Sequence, residues 1–289
     1  MAQTINLSEA VAGLEASVSR DGAFSHPGYL RSVQERVVAA LYDPAFLPQL
    51  SDNPNIVAVI ASPGTAALVP ERYALAVAEK PLEILFRIHL RLLARPGHYW
   101  QDFPSEIAPD AQVHPRAFVA EKNVRIGRRT RIGPNATVLE NTIIGDDVVI
   151  WPGVTIGADG FDPRNIDGTW TVMPHGGGVR LGNGVHVQAN SIVDRALFGG
   201  FTDIGEQVLI GSLCNIAHNC IVGRGSRIVD TAMLAGSVQL GENCWIAPGV
   251  MVGAGVTIGA GTSVGAMSFV KSDLPAGVRA WGTPAKAQA

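Results

Sequence analysis

The sequence predicts a mainly β chain, a triangular coil of short parallel strands preceded by a small α/β domain. Three observations carry this. Aliphatic residues recur every sixth position over the last two thirds of the chain, and that period is missing from the first hundred residues, where helical spacing alternates with short apolar runs. The composition agrees: 47% of the 289 residues are hydrophobic and only 16% charged, with 33 glycines and 18 prolines, as in a globular, turn-rich fold with broad packed faces.

From Ile204 the aliphatic positions are Ile204, Ile210, Ile216, Val222, Ile228, Leu234, Leu240, Ile246, Val252, Ile258, Val264 and Val270, without a miss. An earlier run has the same period, Ile126, Ile132, Val138, Ile144, Ile150 and Ile156, preceded by Ile107, Val113 and Val119 after a one-residue slip. Neither the helical period of 3.6 nor strand alternation gives six. Three hexapeptides make a coil of 18 residues, with each aliphatic side chain pointing into a prism and successive coils about 4.8 Å apart. Glycine often follows the aliphatic residue, as at Gly127, Gly223 and Gly241, and is expected to supply the backbone conformation of a sharp corner.

Two stretches break the period. Residues 158–178 form a polar, glycine-rich excursion containing Phe161 and Trp170, and DRALFGGFTD (Asp194 to Asp203) adds five residues to one repeat. Both are expected to project from the prism toward a neighbouring subunit, since long ordered loops are often functional.

In the first hundred residues, LSEAVAGLEASV and PLEILFRIHLRLLA have helical spacing, while NIVAVIAS and YALAVAE read as buried strands. The expected division is therefore an α/β domain over 1–103, a coil over 104–276 and a short tail over 277–289.

Other features narrow the function. A net charge of −3 spread along the chain gives nucleic acid no footprint. The one basic run, Arg125 to Arg131 (RIGRRTR), reads either as a solvated face or as an anionic phosphate patch. Cys214, Cys220 and Cys244 lack CxxC spacing and read as buried thiols in a reducing compartment. Neither a secretory leader nor a membrane-spanning run is evident, so a cytoplasmic protein is expected.

His218 in NIAHNCIVG lies two residues after the inward Ile216, and adding 18 gives Gly236 as its neighbour on the next coil. An imidazole beside a glycine amide suits acyl transfer, the ring taking a proton from the nucleophile and the N–H stabilising an oxyanion. Imidazole has an ordinary pKa of about 6.5, so much of it is neutral at pH 7. The alternative is a structural histidine bonded across coils. Ser212 and Ser237 lack a nucleophile motif.

The hexapeptide pattern over residues 105–285 resembles the left-handed β-helix of hexapeptide-repeat acyltransferases, and handedness is inferred from that resemblance alone. GADGF (Gly157 to Phe161), VDRAL (Val193 to Leu197), IAHN (Ile216 to Asn219) and LAGS (Leu234 to Ser237), in this order and spacing, are similar to UDP-3-O-(3-hydroxyacyl)glucosamine N-acyltransferases of lipid A biosynthesis. VVAALYDPAFLPQLSDNPNIVAVIAS follows the layout of that family's uridine-binding domain.

The resemblance implies transfer of an acyl group from a carrier thioester to the amine of a nucleotide-linked amino sugar. It makes His218 the general base, the Gly236 amide the oxyanion donor, and the assembly a homotrimer with sites between prisms. Asn219, Asp194, Arg195, Phe161, Trp170 and His175 become substrate-side candidates, the last three shaping a site shared with another subunit. Asp194 and Arg195 also read as an ion pair at a loop base. No tightly bound cofactor or metal is implied. Three histidines on a zinc ion, as in prism-shaped carbonic anhydrases, are not expected, because glycines occupy 200 and 236.

Departures from the family concern the substrate more than the chemistry. Gly211 and Ser212 stand where the family has Asp-Asn, and Gly255 where it has a later histidine. Leu41 and Asp43 replace the aromatic and asparagine of the uridine site, leaving Tyr42 and Phe46 as substitute rings. GTPAK (Gly282 to Lys286) resembles the terminal segment of hexapeptide sugar acetyltransferases, which passes close to coenzyme A. Ala254 and Lys286 are the donor-side candidates, with acyl carrier protein or coenzyme A as carrier. An acetyl-CoA-dependent sugar N- or O-acetyltransferase, or a β-helical scaffold that has lost its site, are the alternatives.

Overall fold

The computed structural model describes residues 3–288 and is dominated by a left-handed parallel β-helix. Packing divides the chain into two units. One runs to Gln101 and takes in Phe161–Gly176; the other comprises Asp102–Gly160 and Gly177 onward.

In the β-helix unit the hexapeptides form three parallel sheets. Sheet A begins at Glu106–Ile107, sheet B at Gln112–Val113 and sheet C at Phe118–Val119, and each later strand joins the equivalent strand one coil away. The register is the 18-residue step: Ile216 pairs with Leu234 and Leu234 with Val252. All twelve aliphatics from Ile204 to Val270 are at most 3% exposed, so the period of six is the period of one continuous core.

The corners follow a different rule from the one expected. Left-handed φ falls three residues after the inward aliphatic residue, at Arg129, Asn219, Ser237 and Asn243 for example. The glycine right after the aliphatic residue is there for space. A Cβ at Gly223 would lie 2.5 Å from the Glu242 nitrogen, and one at Gly241 2.4 Å from the Ala260 nitrogen, so the next coil's backbone excludes it.

The three corners differ in chemistry. From A to B the turns are charged: Arg128 pairs with Asp110 and Arg129 with Asp147. From B to C they carry exposed Trp151, Leu213 and Met267. From C to A lie both interruptions of the period and His218.

The second interruption does not project as expected. Ala196, Leu197 and Phe198 are at most 2% exposed, the Gly177 N–H donates to the Ala196 carbonyl at 2.9 Å, and Leu197 N–H donates to Asn219 Oδ1 at 2.9 Å. Three successive apolar residues favour burial over a solvated loop. Nor is the chain after 277 a loose tail. Arg279–Gly282 extends sheet B beside Ser263–Val264 and turns back through Ala285–Gln288, and buried Ala280 and Ala285 close the core.

The first unit is built on a five-stranded sheet in the order Ser17–Arg20, Ala74–Val77, Ile56–Ala61, Val37–Leu41, His26–Gly28, parallel except for Ser17–Arg20. The helix Pro81–Leu93 forms where its spacing predicts, with Ile84, Leu85, Ile88 and Leu92 buried. The first predicted helix is only Leu7–Val11: Gly13 takes a φ of +70°, and Ser17–Arg20 is a strand.

Residues 161–176 belong to this first unit. They fold as a hairpin, Pro163–Ile166 against Thr169–Val172. Arg164 anchors it, donating to the Tyr29 hydroxyl at 2.9 Å, pairing with Asp162 at 2.7 Å and lying over the Phe86 ring. His89 Nε2 donates to the Pro174 carbonyl at 2.8 Å, and Arg87 pairs with Asp167.

Candidate active site

The corner from sheet C to sheet A brings together what the sequence separates. The chain leaves sheet C at Ala158, Asp194, Ile216 and Leu234 and re-enters sheet A at Gly178, Phe201, Ile221 and Gln239. Both interruptions, His218 and Gly236 therefore share one edge of the prism.

His218 lies against Gly236. A Cβ built on Gly236 would come within 2.6 Å of both Cε1 and Nε2 of the imidazole, so only glycine leaves the ring its place. The ring is oriented from its other side. Asn219 Oδ1 accepts the Leu197 N–H, which identifies it as the amide oxygen, and His218 Nδ1 lies 3.0 Å from it. Nδ1 therefore carries the proton in the neutral ring, and Nε2, facing Gly236, is the basic nitrogen. Asn219 is held in turn by a φ of +60° and by donating its N–H to Thr202 Oγ1 at 2.8 Å. Its role is thus to orient the histidine.

The Gly236 carbonyl accepts from Gly255 N–H at 2.9 Å, whereas among the described residues its own N–H makes no hydrogen bond within the chain. A corner amide of this kind is a ready donor to an incoming oxygen. Ala254 follows Gly236 at the next 18-residue step, so the column above His218 is made of small residues.

Asp194 and Arg195 do not form the expected pair. Arg195 Nε donates to the Gly157 carbonyl at 2.8 Å and lies 3.0 Å from Asp159, which ties the two interruptions together at their roots. Asp194, next to the Val193–Ile216 pairing, is 7% exposed, and burial together with Asp159 pushes its carboxyl up to about 6. Of the residues missing from the family pattern, only Gly255 lies on this corner. Gly211 and Ser212 lie on the B-to-C corner, where Asp230 of the next coil accepts the Ser212 N–H at 2.7 Å. Gly255 has a φ of +69°, a position that favours glycine over a histidine.

The remaining candidates are dispersed. Phe161 and Trp170 are 82% and 72% exposed, on a hairpin that folds with the first unit. His175, in the same segment, is buried, with Nδ1 2.9 Å from the Met173 carbonyl. Tyr42 and Phe46 follow the carboxyl end of the parallel strand Val37–Leu41, their rings edge to face at 5.5 Å and Tyr42 half-exposed. Lys286 stands opposite Trp281 in the last hairpin. Burial pushes the Cys214 thiol up to about 11 and that of Cys220 to about 12, which makes both poor nucleophiles.

Residues 123–158 and 237–272 match the bacterial transferase hexapeptide family (six repeats), and residues 171–195 the hexapeptide repeat of succinyl-transferase. The UDP-3-O-acylglucosamine N-acyltransferase of Herminiimonas arsenicoxydans is 34% identical over 45% of this chain and 37% of its own length. That of Shewanella denitrificans is 40% identical over 33% of this chain and 28% of its own length. In these two matches the chain spans about a third of the relative. The Bordetella pertussis protein of the same name is 27% identical over 78% of this chain and 71% of its own length. Among solved structures, the Campylobacter jejuni UDP-N-acetylglucosamine acyltransferase superposes on 64% of this chain and 72% of its own, with a TM-score of 0.54 and 24% identity, a likeness of fold. The chain is a left-handed hexapeptide-repeat protein that resembles the UDP-3-O-acylglucosamine N-acyltransferases.

Proposed function

We propose that the protein is an N-acyltransferase that moves an acyl group from a thioester to the amine of a nucleotide-linked amino sugar, in the biosynthesis of lipid A or a surface polysaccharide. The observation that carries this reading is the oriented His218 ring with its basic nitrogen against Gly236. The amine attacks the thioester carbonyl and a C–N bond forms. His218 Nε2 takes the proton released from nitrogen, and the Gly236 N–H stabilises the oxyanion. The intermediate then collapses with loss of the thiolate, which receives the proton and leaves as free thiol. The buried Asp194 and the Arg195–Asp159 pair line the acceptor side, and Ala254 the donor side. In the first unit, Tyr42 and Phe46 offer a nucleobase a half-exposed aromatic platform at the carboxyl end of a parallel strand, the usual ligand position in such sheets.

A homotrimer belongs to the same reading. Ile192, Met233 and Met251 point outward from sheet C, and Leu213 and Met267 flank them, all more than a third exposed, making an apolar strip alongside the His218 corner. Three buried free cysteines suit a cytoplasmic enzyme. No helix among the described residues is long and apolar enough to cross a membrane. The donor is acyl carrier protein or coenzyme A; Lys286 on the terminal hairpin favours coenzyme A as a second reading.

The test is turnover of UDP-linked amino sugars with acyl carrier protein and acyl-CoA donors, followed by thiol release and product mass. His218→Ala is expected to lower it by about 10²–10⁴-fold. Undiminished turnover in the variant, or none by the wild type with any donor, would reject the assignment.

A further inference from the structure

The basic run Arg125 to Arg131 plays no part in the proposed acyl transfer, and the fold separates its members. Arg125 pairs with Glu106, Arg128 with Asp110 and Arg129 with Asp147. Arg131 has no ion-pair or side-chain hydrogen-bond partner among the described residues, and it lines a groove of about 440 Å³ on sheet B and its corner with sheet C.

The walls of that groove are aromatic. His114, Gly133 and Trp151 occupy equivalent positions on three successive coils, because Val113 pairs with Ile132 and Ile132 with Ile150. With coils about 4.8 Å apart, the backbones at His114 and Trp151 stand about 9.6 Å apart, and Gly133 between them carries no side chain, a spacing that leaves room for one flat ring between two others. The Arg116 N–H donates to His114 Nδ1 at 3.1 Å, so the neutral imidazole carries its proton on Nε2 and presents a donor. Pro134 and Pro152 complete the lining with apolar surface and no backbone N–H.

We infer that this groove binds a planar ring carrying an anionic group, the ring stacked over Gly133 between His114 and Trp151 and the anion held by Arg131. A phosphate or a carboxylate satisfies the same guanidinium. The site is independent of the acyl-transfer corner, which lies on the edge between sheets C and A.

The experiment follows the indole N–H resonance of Trp151, assigned with Trp151→Phe, during titration with AMP, 4-hydroxybenzoate, adenosine and inorganic phosphate. AMP or 4-hydroxybenzoate is expected to shift it saturably with a Kd near or below about 1 mM. Which of the two binds more tightly separates a phosphate-bearing from a carboxylate-bearing ligand. Adenosine, which lacks the charge, and phosphate, which lacks the ring, should bind at least about tenfold more weakly. Arg131→Gln should weaken binding by about tenfold or more, whereas Arg129→Gln, at a paired arginine, leaves it unchanged. The inference fails if neither anion gives a saturable shift, if both arginine variants behave alike, or if the signal responds to His218→Ala. A change of oligomeric mass in Trp151→Phe also overturns it, since the indole then packs between copies.

Discussion

The A-to-B and C-to-A corners have the same backbone plan, an inward aliphatic residue, a tight turn and a left-handed residue, yet they share almost no chemistry. At the A-to-B corner arginines and carboxylates neutralise one another from coil to coil, and the turns keep their length. The C-to-A corner holds both interruptions, a histidine oriented by Asn219 and a carboxyl buried without a salt-bridge partner among the described residues. Because the stacked aliphatics fix the position of every coil, a corner is free to gain or lose side chains while its neighbours stay aligned. Reactive groups brought to one edge this way are held about one coil spacing apart by the core rather than by one another.

The same substitution at the two corners breaks this comparison most sharply. Gly236→Ala pushes a methyl into the His218 ring, and turnover should fall by about 10²-fold, as small displacements of a reacting group do. The melting midpoint should barely move, because a ring can swing away. Retention of more than about a tenth of the turnover would mean that ring position matters little. Gly241→Ala at the A-to-B corner meets the backbone nitrogen of Ala260 at 2.4 Å, which cannot yield without moving a coil. It should cost about 1–3 kcal/mol. The corresponding fall in Tm is roughly 2–4 °C per kcal/mol, with activity per folded molecule intact.

Acidity offers a smaller contrast, this time between the two units. Asp194 holds its proton more tightly in the folded state, so its contribution to stability is fully present below about pH 4 and is lost as pH rises through about 6. Burial depresses His26 to about 4, and its contribution has the opposite course: present above about pH 6.5 and lost as pH falls through about 4. Asp194→Asn should raise the melting midpoint of the β-helix unit at pH 7 while leaving the acid-side loss in the first unit. An unchanged midpoint would show that the Asp194 carboxyl is solvated. The least effect is expected from Arg129→Gln, which removes an exposed ion pair with Asp147 and should change neither turnover nor midpoint in the same assays.

The core of the β-helix was legible in the sequence because each coil imposes the same demand, an aliphatic residue every sixth position, and repetition turns a structural constraint into a period. The His218–Gly236 contact was legible for the same reason, as an 18-residue step. What repetition does not touch was harder to read. Arg164 reaches Tyr29 across 135 residues of sequence, and nothing local in DPRNIDGTW marks the hairpin as part of the first unit. The burial of Ala196–Phe198 was foreshadowed by its apolar composition, but length alone suggested a projecting loop. The role of the corner glycines was misread because lack of room for a Cβ and a left-handed φ leave the same letter in the sequence.

The hairpin that packs with the first unit has a consequence for biosynthesis. That unit lacks its Arg164 and His89 contacts until residue 176 has left the ribosome, some 75 residues after Gln101. At about 5–20 residues per second this is a delay on the order of 4–15 s, during which the coils of residues 102–160 emerge beside an unfinished neighbour. The nascent chain thus makes the middle of the molecule before it can complete the beginning.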